Sequence, residues 1–88
     1  MKTIYKYPMP IDDAPTIRMP QGAVILSAQM QREQLCLWAL VETDNPPMLR
    51  RFRVYGTGHE VADVPQKFIG TVQMLGGNLV WHVFEVLQ

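Results

Sequence analysis

The side chains best suited to bind a charged ligand lie in one short segment, residues 51–59. Arg51, Arg53 and Tyr55 alternate along a candidate strand, so they share one of its faces. A glycine-rich turn at 56–59 follows directly, and its backbone amides and threonine hydroxyl are hydrogen-bond donors. Guanidinium groups bind phosphate through planar, paired donors. The segment therefore predicts an anion-binding surface, made of Arg51, Arg53, Tyr55, Thr57, Gly58 and His59.

Aromatic residues extend this prediction toward a nucleotide. Tyr55, Trp38 and Trp81 are candidates to stack on a base, and together with the arginines they fit a nucleotide or an acidic protein patch. The alternative is that the arginines cover apolar surface and pair with carboxylates such as Glu42 or Glu60.

The C-terminal run Trp81-His82-Val83-Phe84 has large side chains at successive positions, which a strand must divide between two faces. The strand therefore offers either Trp81 with Val83, or His82 with Phe84, to something other than its own core. A self-association surface that includes Trp38, Trp81 or His82 is the simplest explanation.

Other kinds of site find little support. Neither His59 nor His82 has a second histidine or cysteine at metal-ligand spacing, and Cys36 lies in an apolar run where a buried, inert thiol is expected. Most of the carboxylates lie in segments read as solvated loops, and nothing requires a general acid and base pair. The run at 56–58 also lacks the rest of a dinucleotide or P-loop motif. We therefore predict a protein that is not an enzyme and binds no metal or cofactor.

Composition indicates one small domain spanning 1–88. The chain has 88 residues, a formal charge of zero and 48% hydrophobic residues, which argues against disorder and against a strongly basic nucleic-acid binder. Its small core favours oligomerisation. The N-terminus lacks signal-peptide character, no apolar stretch is long enough to span a membrane, and no disulfide is required. We expect a soluble, cytoplasmic protein.

The fold class is predicted from the spacing of the prolines and glycines. Seven prolines and six glycines divide the chain into strand-length pieces, which predicts an all-β domain. We expect six or seven short, mostly antiparallel strands, arranged as a sheet or sandwich or as a partly open barrel. The first, at 2–7, is expected at an edge, and the strand at 16–19 should place Ile17 and Met19 on one face.

The sequence predicts two hairpins, one in the middle of the chain and one at its C-terminal end. Alternation in 23–31 is expected to place Val24, Leu26, Ala28 and Met30 on one buried face. A short polar connection then leads into 35–41, which is apolar on both faces and predicts a central strand. Its second face would be covered by a partner or a folded-over segment. The glycines in 75–78 predict a hairpin joining 67–74 to 79–87.

Three segments together resemble a family of small uncharacterised phage and prophage proteins. They are Met-Lys-Thr-Ile-Tyr-Lys-Tyr-Pro at 1–8, Arg-Arg-Phe-Arg-Val-Tyr-Gly-Thr-Gly-His at 50–59 and Leu-Val-Trp-His-Val-Phe-Glu at 79–85. In that family Asn-Gly usually occupies the turn where this chain has Arg32-Glu33. The resemblance implies a viral origin, expression in a bacterial cytoplasm and a size typical of accessory proteins that disarm host defence.

The leading hypothesis is a homo-oligomeric phage protein that sequesters a small phosphorylated immune signal, such as a cyclic nucleotide or cyclic ADP-ribose derivative. Neither a membrane nor long nucleic acid is an expected partner. A protein inhibitor of a host defence enzyme is one alternative. A minor enzyme or a virion component is the other.

Overall fold

A computed structural model describes residues 1–87, and nearly all of its regular structure is strand. The seven strands are β1 (Lys2–Pro8), β2 (Thr16–Pro20), β3 (Val24–Gln31), β4 (Gln34–Glu42), β5 (Pro47–Gly56), β6 (Gln66–Met74) and β7 (Leu79–Val86). A single 3-10 turn, Leu75–Gly77, joins β6 to β7. The all-β prediction and its strand count are confirmed.

The strands form two antiparallel sheets that are not closed into a barrel. The three-stranded sheet has the order β1-β4-β3, and the four-stranded sheet has the order β2-β5-β7-β6. One face of each sheet contributes to a single hydrophobic core, in which Phe52, Leu37 and Val83 have no exposed surface. Below, "inner" denotes the side of a sheet that faces this core and "outer" the opposite side. The sandwich form of the predicted architecture is the one adopted.

Strand β4 is the centre of the three-stranded sheet, as its two apolar faces predict. Its odd-numbered residues from Leu35 to Val41 are buried on the inner side. On the outer side, Trp38 and Leu40 are partly exposed, whereas Cys36 is a buried free thiol, as expected. The predicted edge position of the first strand is also confirmed, since β1 pairs with β4 alone.

The predicted inner face of β3 is wrong in its first half. A β-bulge between Ile25 and Ser27 shifts the register against β4. Beyond it Ala28 and Met30 point inward, but Val24 and Leu26 are 54% and 50% exposed. A single extra residue reverses which side chains face the core, because the side-chain period of a strand is two.

Both predicted hairpins are present, and each uses residues with positive φ. Arg32 and Glu33 form the β3–β4 loop with φ of 51° and 66°, the signs found in a two-residue type I′ turn. In the β6–β7 connection, Gly76 and Gly77 have φ of 66° and 95°.

The two sheets approach each other where β3 meets β6. A Cβ atom at Gly70 would lie 3.6 Å from the Ala28 Cβ, which is ordinary van der Waals contact. No helix within residues 1–87 is long and apolar enough to cross a membrane.

Candidate ligand-binding face

The polar segment 51–59 contributes to the outer side of the four-stranded sheet. Phe52 and Val54 are buried in the core, so Arg51, Arg53 and Tyr55 share the outer side of β5, as predicted. Register extends this surface across β7 and β6 in two rows. One row is Arg53, Phe84 and Phe68, and the other is Tyr55, His82 and Thr71. We call the surface made by these two rows and Arg51 the outer face.

An aromatic cluster runs along the outer face. The Phe84 ring lies 5.5 Å from Tyr55 and 5.4 Å from Phe68 between centroids, with edge-to-face angles of 75° and 66°. Phe68 is 53% exposed, which makes it the most accessible ring of the three. The outward placement of His82 with Phe84 is one of the two arrangements predicted for β7. The contribution of Phe68 to this face was not predicted, because only the pairing of β6 with β7 brings it beside Phe84.

Tyr55 is not available for stacking, contrary to prediction. Its side chain is only 8% exposed, and its hydroxyl donates to Gln66 Oε1 at 2.9 Å while accepting from the Ala62 amide at 3.3 Å. Gln66 in turn donates to the Ala62 carbonyl at 2.9 Å. Tyr55 therefore anchors the loop between β5 and β6 against the sheet.

His82 is held by two threonines. Its Nε2 lies 2.8 Å from Thr57 Oγ1, and its Nδ1 lies 3.0 Å from Thr71 Oγ1. The Thr57 hydroxyl, predicted as a free donor to an anion, is thus already hydrogen-bonded. This contact joins the glycine-rich turn to β7 and fixes the imidazole on the outer face.

The glycine-rich turn also departs from the predicted anion site. The His59 amide donates to the Gly56 carbonyl at 3.0 Å, and Gly58 takes a φ of 88° at the exposed corner. The Gly56 amide donates to His59 Nδ1 at 3.3 Å, so it is not free for a ligand. A Cβ at Gly56 would lie 2.7 Å from His59 Cε1. By strand alternation this places the His59 ring on the side of β5 opposite Tyr55.

The guanidinium groups of Arg51 and Arg53, the two arginines of the predicted anion-binding surface, form no ion pair within residues 1–87. Arg51 is exposed and Arg53 half-buried, and neither has a carboxylate within 4.0 Å in the part of the chain described. Pairing with Glu42 or Glu60 is therefore wrong. Glu42 instead contacts the Met1 ammonium.

A shallow cleft adjoins Arg53 at the margin of β5. It has a volume of about 340 Å³, and its lining includes Arg53 and His59 together with the carboxylates of Asp13 and Glu60. The two carboxylates make this margin mixed in charge. Neither carboxylate lies within 4.0 Å of the Arg53 guanidinium, so Arg53 is unpaired beside this cleft.

The two tryptophans lie away from the outer face, so neither joins the arginines. Trp81 packs against the core from the inner side of β7, and its indole Nε1–H donates to Met74 Sδ at 3.2 Å. It shares a small cleft of about 210 Å³ with His59. Trp38 belongs to the other sheet. Base stacking beside Arg53 is therefore excluded for Trp81 because it lies on the inner side of β7, and for Trp38 because it lies in the other sheet.

Comparison with known proteins gives a family for the whole chain. A family model described as "Domain of unknown function (DUF7352)" matches residues 1–88. The chain belongs to this family. Searches of curated proteins and of solved structures give no match. For this member of DUF7352, the outer face is accordingly the basis on which a function can be argued.

Proposed function

We propose that this protein is a non-enzymatic binding protein whose outer face takes a small phosphorylated nucleotide. The observation that carries the proposal is the cross-strand row Arg53, Phe84 and Phe68, which combines an unpaired guanidinium with an accessible aromatic ring. Cationic side chains beside exposed aromatics on a sheet are a recurring means of binding nucleotide units.

The arginines provide the phosphate contacts. Arg51 and Arg53 lie two residues apart on β5, about 6.6 Å along the strand, and their side chains point the same way. Two guanidinium groups at this spacing suit adjacent phosphates or one bridging phosphate. Because neither is committed to a carboxylate in residues 1–87, a phosphate need not displace an existing ion pair.

The aromatic end of the row provides a stacking surface. Phe68 lies two strands from Arg53, a separation of about 10 Å at the usual strand spacing. A nucleotide spanning the row would place its base on Phe68 and its phosphate at Arg53. The carboxylates of Asp13 and Glu60 lie in the adjoining cleft, on the side of Arg53 away from Phe68, where they are acceptors suited to the second ribose of a cyclic ADP-ribose derivative.

The role we propose is sequestration of a cyclic nucleotide or cyclic ADP-ribose derivative by a phage protein in the cytoplasm of an infected bacterium. The resemblance of segments 1–8, 50–59 and 79–85 to small phage proteins supports this cellular setting. Sequestration requires affinity without catalysis, which agrees with a site built from arginine and phenylalanine.

Binding followed by ligand recovery tests the proposal. The purified protein is titrated calorimetrically with a panel of cyclic nucleotides and cyclic ADP-ribose derivatives, then denatured, and the released ligand is analysed by mass spectrometry. We expect one ligand class to bind and to return with unchanged mass. Failure of the whole panel to bind would refute nucleotide sequestration, and recovery of a converted product would refute the non-enzymatic role.

A second candidate function, inhibition of a host defence enzyme, is favoured by a different surface. The outer side of the three-stranded sheet presents Ile4 and Val24, which are 56% and 54% exposed, beside the partly exposed Trp38 and Leu40. Exposed apolar surface of this kind suits a protein partner. Val24→Lys should then abolish inhibition of a target enzyme while leaving nucleotide titrations unchanged.

A further inference from the structure

Strand β1 presents an open backbone edge. Within residues 1–87 it is the outermost strand of its sheet and pairs only with β4. Met1 accepts a hydrogen bond from the Thr43 amide, and the Met9 amide donates to the Leu35 carbonyl, so the odd-numbered residues of this regular ladder face β4. The backbone N–H and C=O groups of Lys2, Ile4 and Lys6 consequently point away from the sheet.

The side chains of β1 leave this edge accessible. Lysine on an edge strand commonly discourages pairing with another chain. Here, however, the Lys6 ammonium reaches across the sheet and donates to Gln31 Oε1 on β3 at 2.8 Å. Ile4 and Tyr5 are 56% and 42% exposed, which is high for residues in the middle of a strand.

Charge and strand length together select one register for an antiparallel pair of β1 strands. A two-fold axis at Ile4 would place Lys2 directly opposite Lys6 of the second copy, and an axis at Lys6 would oppose two Lys6 side chains; both oppose like charges. Axes at Thr3 and at Tyr5 both avoid these contacts, but an axis at Thr3 pairs only residues 1–5, whereas an axis at Tyr5 pairs the whole of β1. It places Ile4 opposite Lys6 of the second copy, and both residues have the outward backbone groups that this pairing needs.

We propose that two copies of this chain pair antiparallel through β1, with the two-fold axis at Tyr5, to form a continuous six-stranded sheet. Ile4 exchanges both backbone hydrogen bonds with Lys6 of the second copy. The two Tyr5 side chains meet on the inner side, where Tyr5 already lies 6.2 Å from Tyr7 between ring centroids. The proposal does not depend on the ligand site, which lies on the other sheet.

Disulfide trapping tests the register directly. In a Cys36→Ala background, Tyr5→Cys places two thiols across a non-hydrogen-bonded pair, with Cα atoms about 4.5 Å apart. Ile4→Cys would place them about 7–8 Å apart on a diagonal, and Thr3→Cys farther still. We expect rapid covalent dimer from Tyr5→Cys alone under mild oxidation. Preferential trapping of Ile4→Cys or Thr3→Cys, or of none, would overturn the proposal.

Mass measurement provides the second arm. Light scattering of the unmodified chain should give twice the monomer mass, and Ile4→Pro should give the monomer mass with an unchanged circular dichroism spectrum. Because the Ile4 amide points outward, proline removes no bond to β4. A monomeric unmodified chain, or an Ile4→Pro variant that stays dimeric, would contradict pairing through β1. Should Ile4→Pro unfold, the trapping experiment decides alone.

Discussion

Arg50 and Glu85 form a two-point ion pair across β5 and β7. The Arg50 Nη2 donates to Glu85 Oε1 at 3.0 Å, and Nε donates to Oε2. Arg50 Nη1 also donates to the Ala23 carbonyl at 2.8 Å, which ties β5 to the start of β3. The two side chains are only 17% and 13% exposed. Each charge has therefore lost most of its contact with water and is stabilised by the other.

Breaking this ion pair should destabilise the fold. Arg50→Met leaves the Glu85 carboxylate without its cation, and we expect a loss of about 3 kcal/mol in the free energy of unfolding. Adding Glu85→Leu should recover most of that loss, because the unpaired charge is removed. Urea denaturation measures both. Arg51→Met, an exposed arginine next in sequence, is the control and should change stability by less than about 0.5 kcal/mol.

Removing Arg53 should weaken nucleotide binding by about 1.5 to 3 kcal/mol through loss of a charge-assisted hydrogen bond. Arg53→Lys should recover only part of this, because an ammonium lacks the planar pair of donors. Calorimetric titration of Arg53→Ala and Arg53→Lys measures the effect. Arg32→Ala makes the same change in charge on the other sheet and should bind normally. Full nucleotide affinity in a stable Arg51→Ala, Arg53→Ala double variant would exclude the outer face as the binding site.

The exposed Phe68 ring should contribute separately to affinity. Phe68→Ala removes the stacking surface, and we expect a loss of about 1 to 3 kcal/mol in binding for ligands that carry a base. Inorganic phosphate competing at the arginines should bind Phe68→Ala and the unmodified protein equally. Phe68→Tyr keeps a ring and should retain affinity. An unchanged nucleotide affinity in Phe68→Ala would show that the base does not stack on Phe68.

The β3–β4 turn should become more stable with glycine. Glu33 has a φ of 66°, which is costly for a residue with a Cβ and free of that cost for glycine. Glu33→Gly should therefore raise the free energy of unfolding by about 1 kcal/mol. Thermal or urea unfolding tests it. Gln29→Gly, in the extended interior of β3, should lower stability instead, and an equal response at both positions would contradict the assigned turn.

Tyr7 should make the fold sensitive to alkaline pH. Burial raises the pKa of the Tyr7 hydroxyl above 10.0, with a smaller contribution from the neighbouring Tyr5. The folded state therefore holds this proton more tightly than the unfolded state, so its contribution to stability is complete below pH 10 and declines as pH rises through the folded pKa. Tyr7→Phe should reduce this alkaline loss. Ultraviolet titration of the tyrosines, with unfolding curves on both sides of pH 10, provides the measurement.

Local pattern predicted the strands well and their mutual arrangement less well. The faces of β2 and β5 follow from alternation, as the burial of Met19 and Phe52 shows. The bulge in β3 could not be predicted from alternation. Without it, Val24 and Leu26 would share the inner face with Ala28 and Met30, and only the register shift reverses them. The outer face shows the same difference between what alternation within one strand predicts and what depends on strand pairing. The shared face of Arg51 and Arg53 is a local property.

What could not be predicted depends on contacts between distant segments. Phe68 joins Phe84 only through the pairing of β6 with β7, and Thr57 meets His82 only after the turn folds back onto β7. The same is true of Arg50 and Glu85, which are 35 positions apart. Each of these relationships requires the register of two strands, and no single strand's periodicity contains it.

The strand order also determines when parts of the molecule can form. Among the seven strands described, only β3–β4 and β6–β7 are pairs of consecutive strands, whereas β1 must wait for β4 and β2 must wait for β5. Such distant pairings fold slowly, on the order of milliseconds to seconds, because loop-closure entropy is lost before contacts compensate it. We expect the two local hairpins to form early and β1 to join late. For that interval the centre of the smaller sheet has a bare edge, and the chain is then most exposed to mispairing.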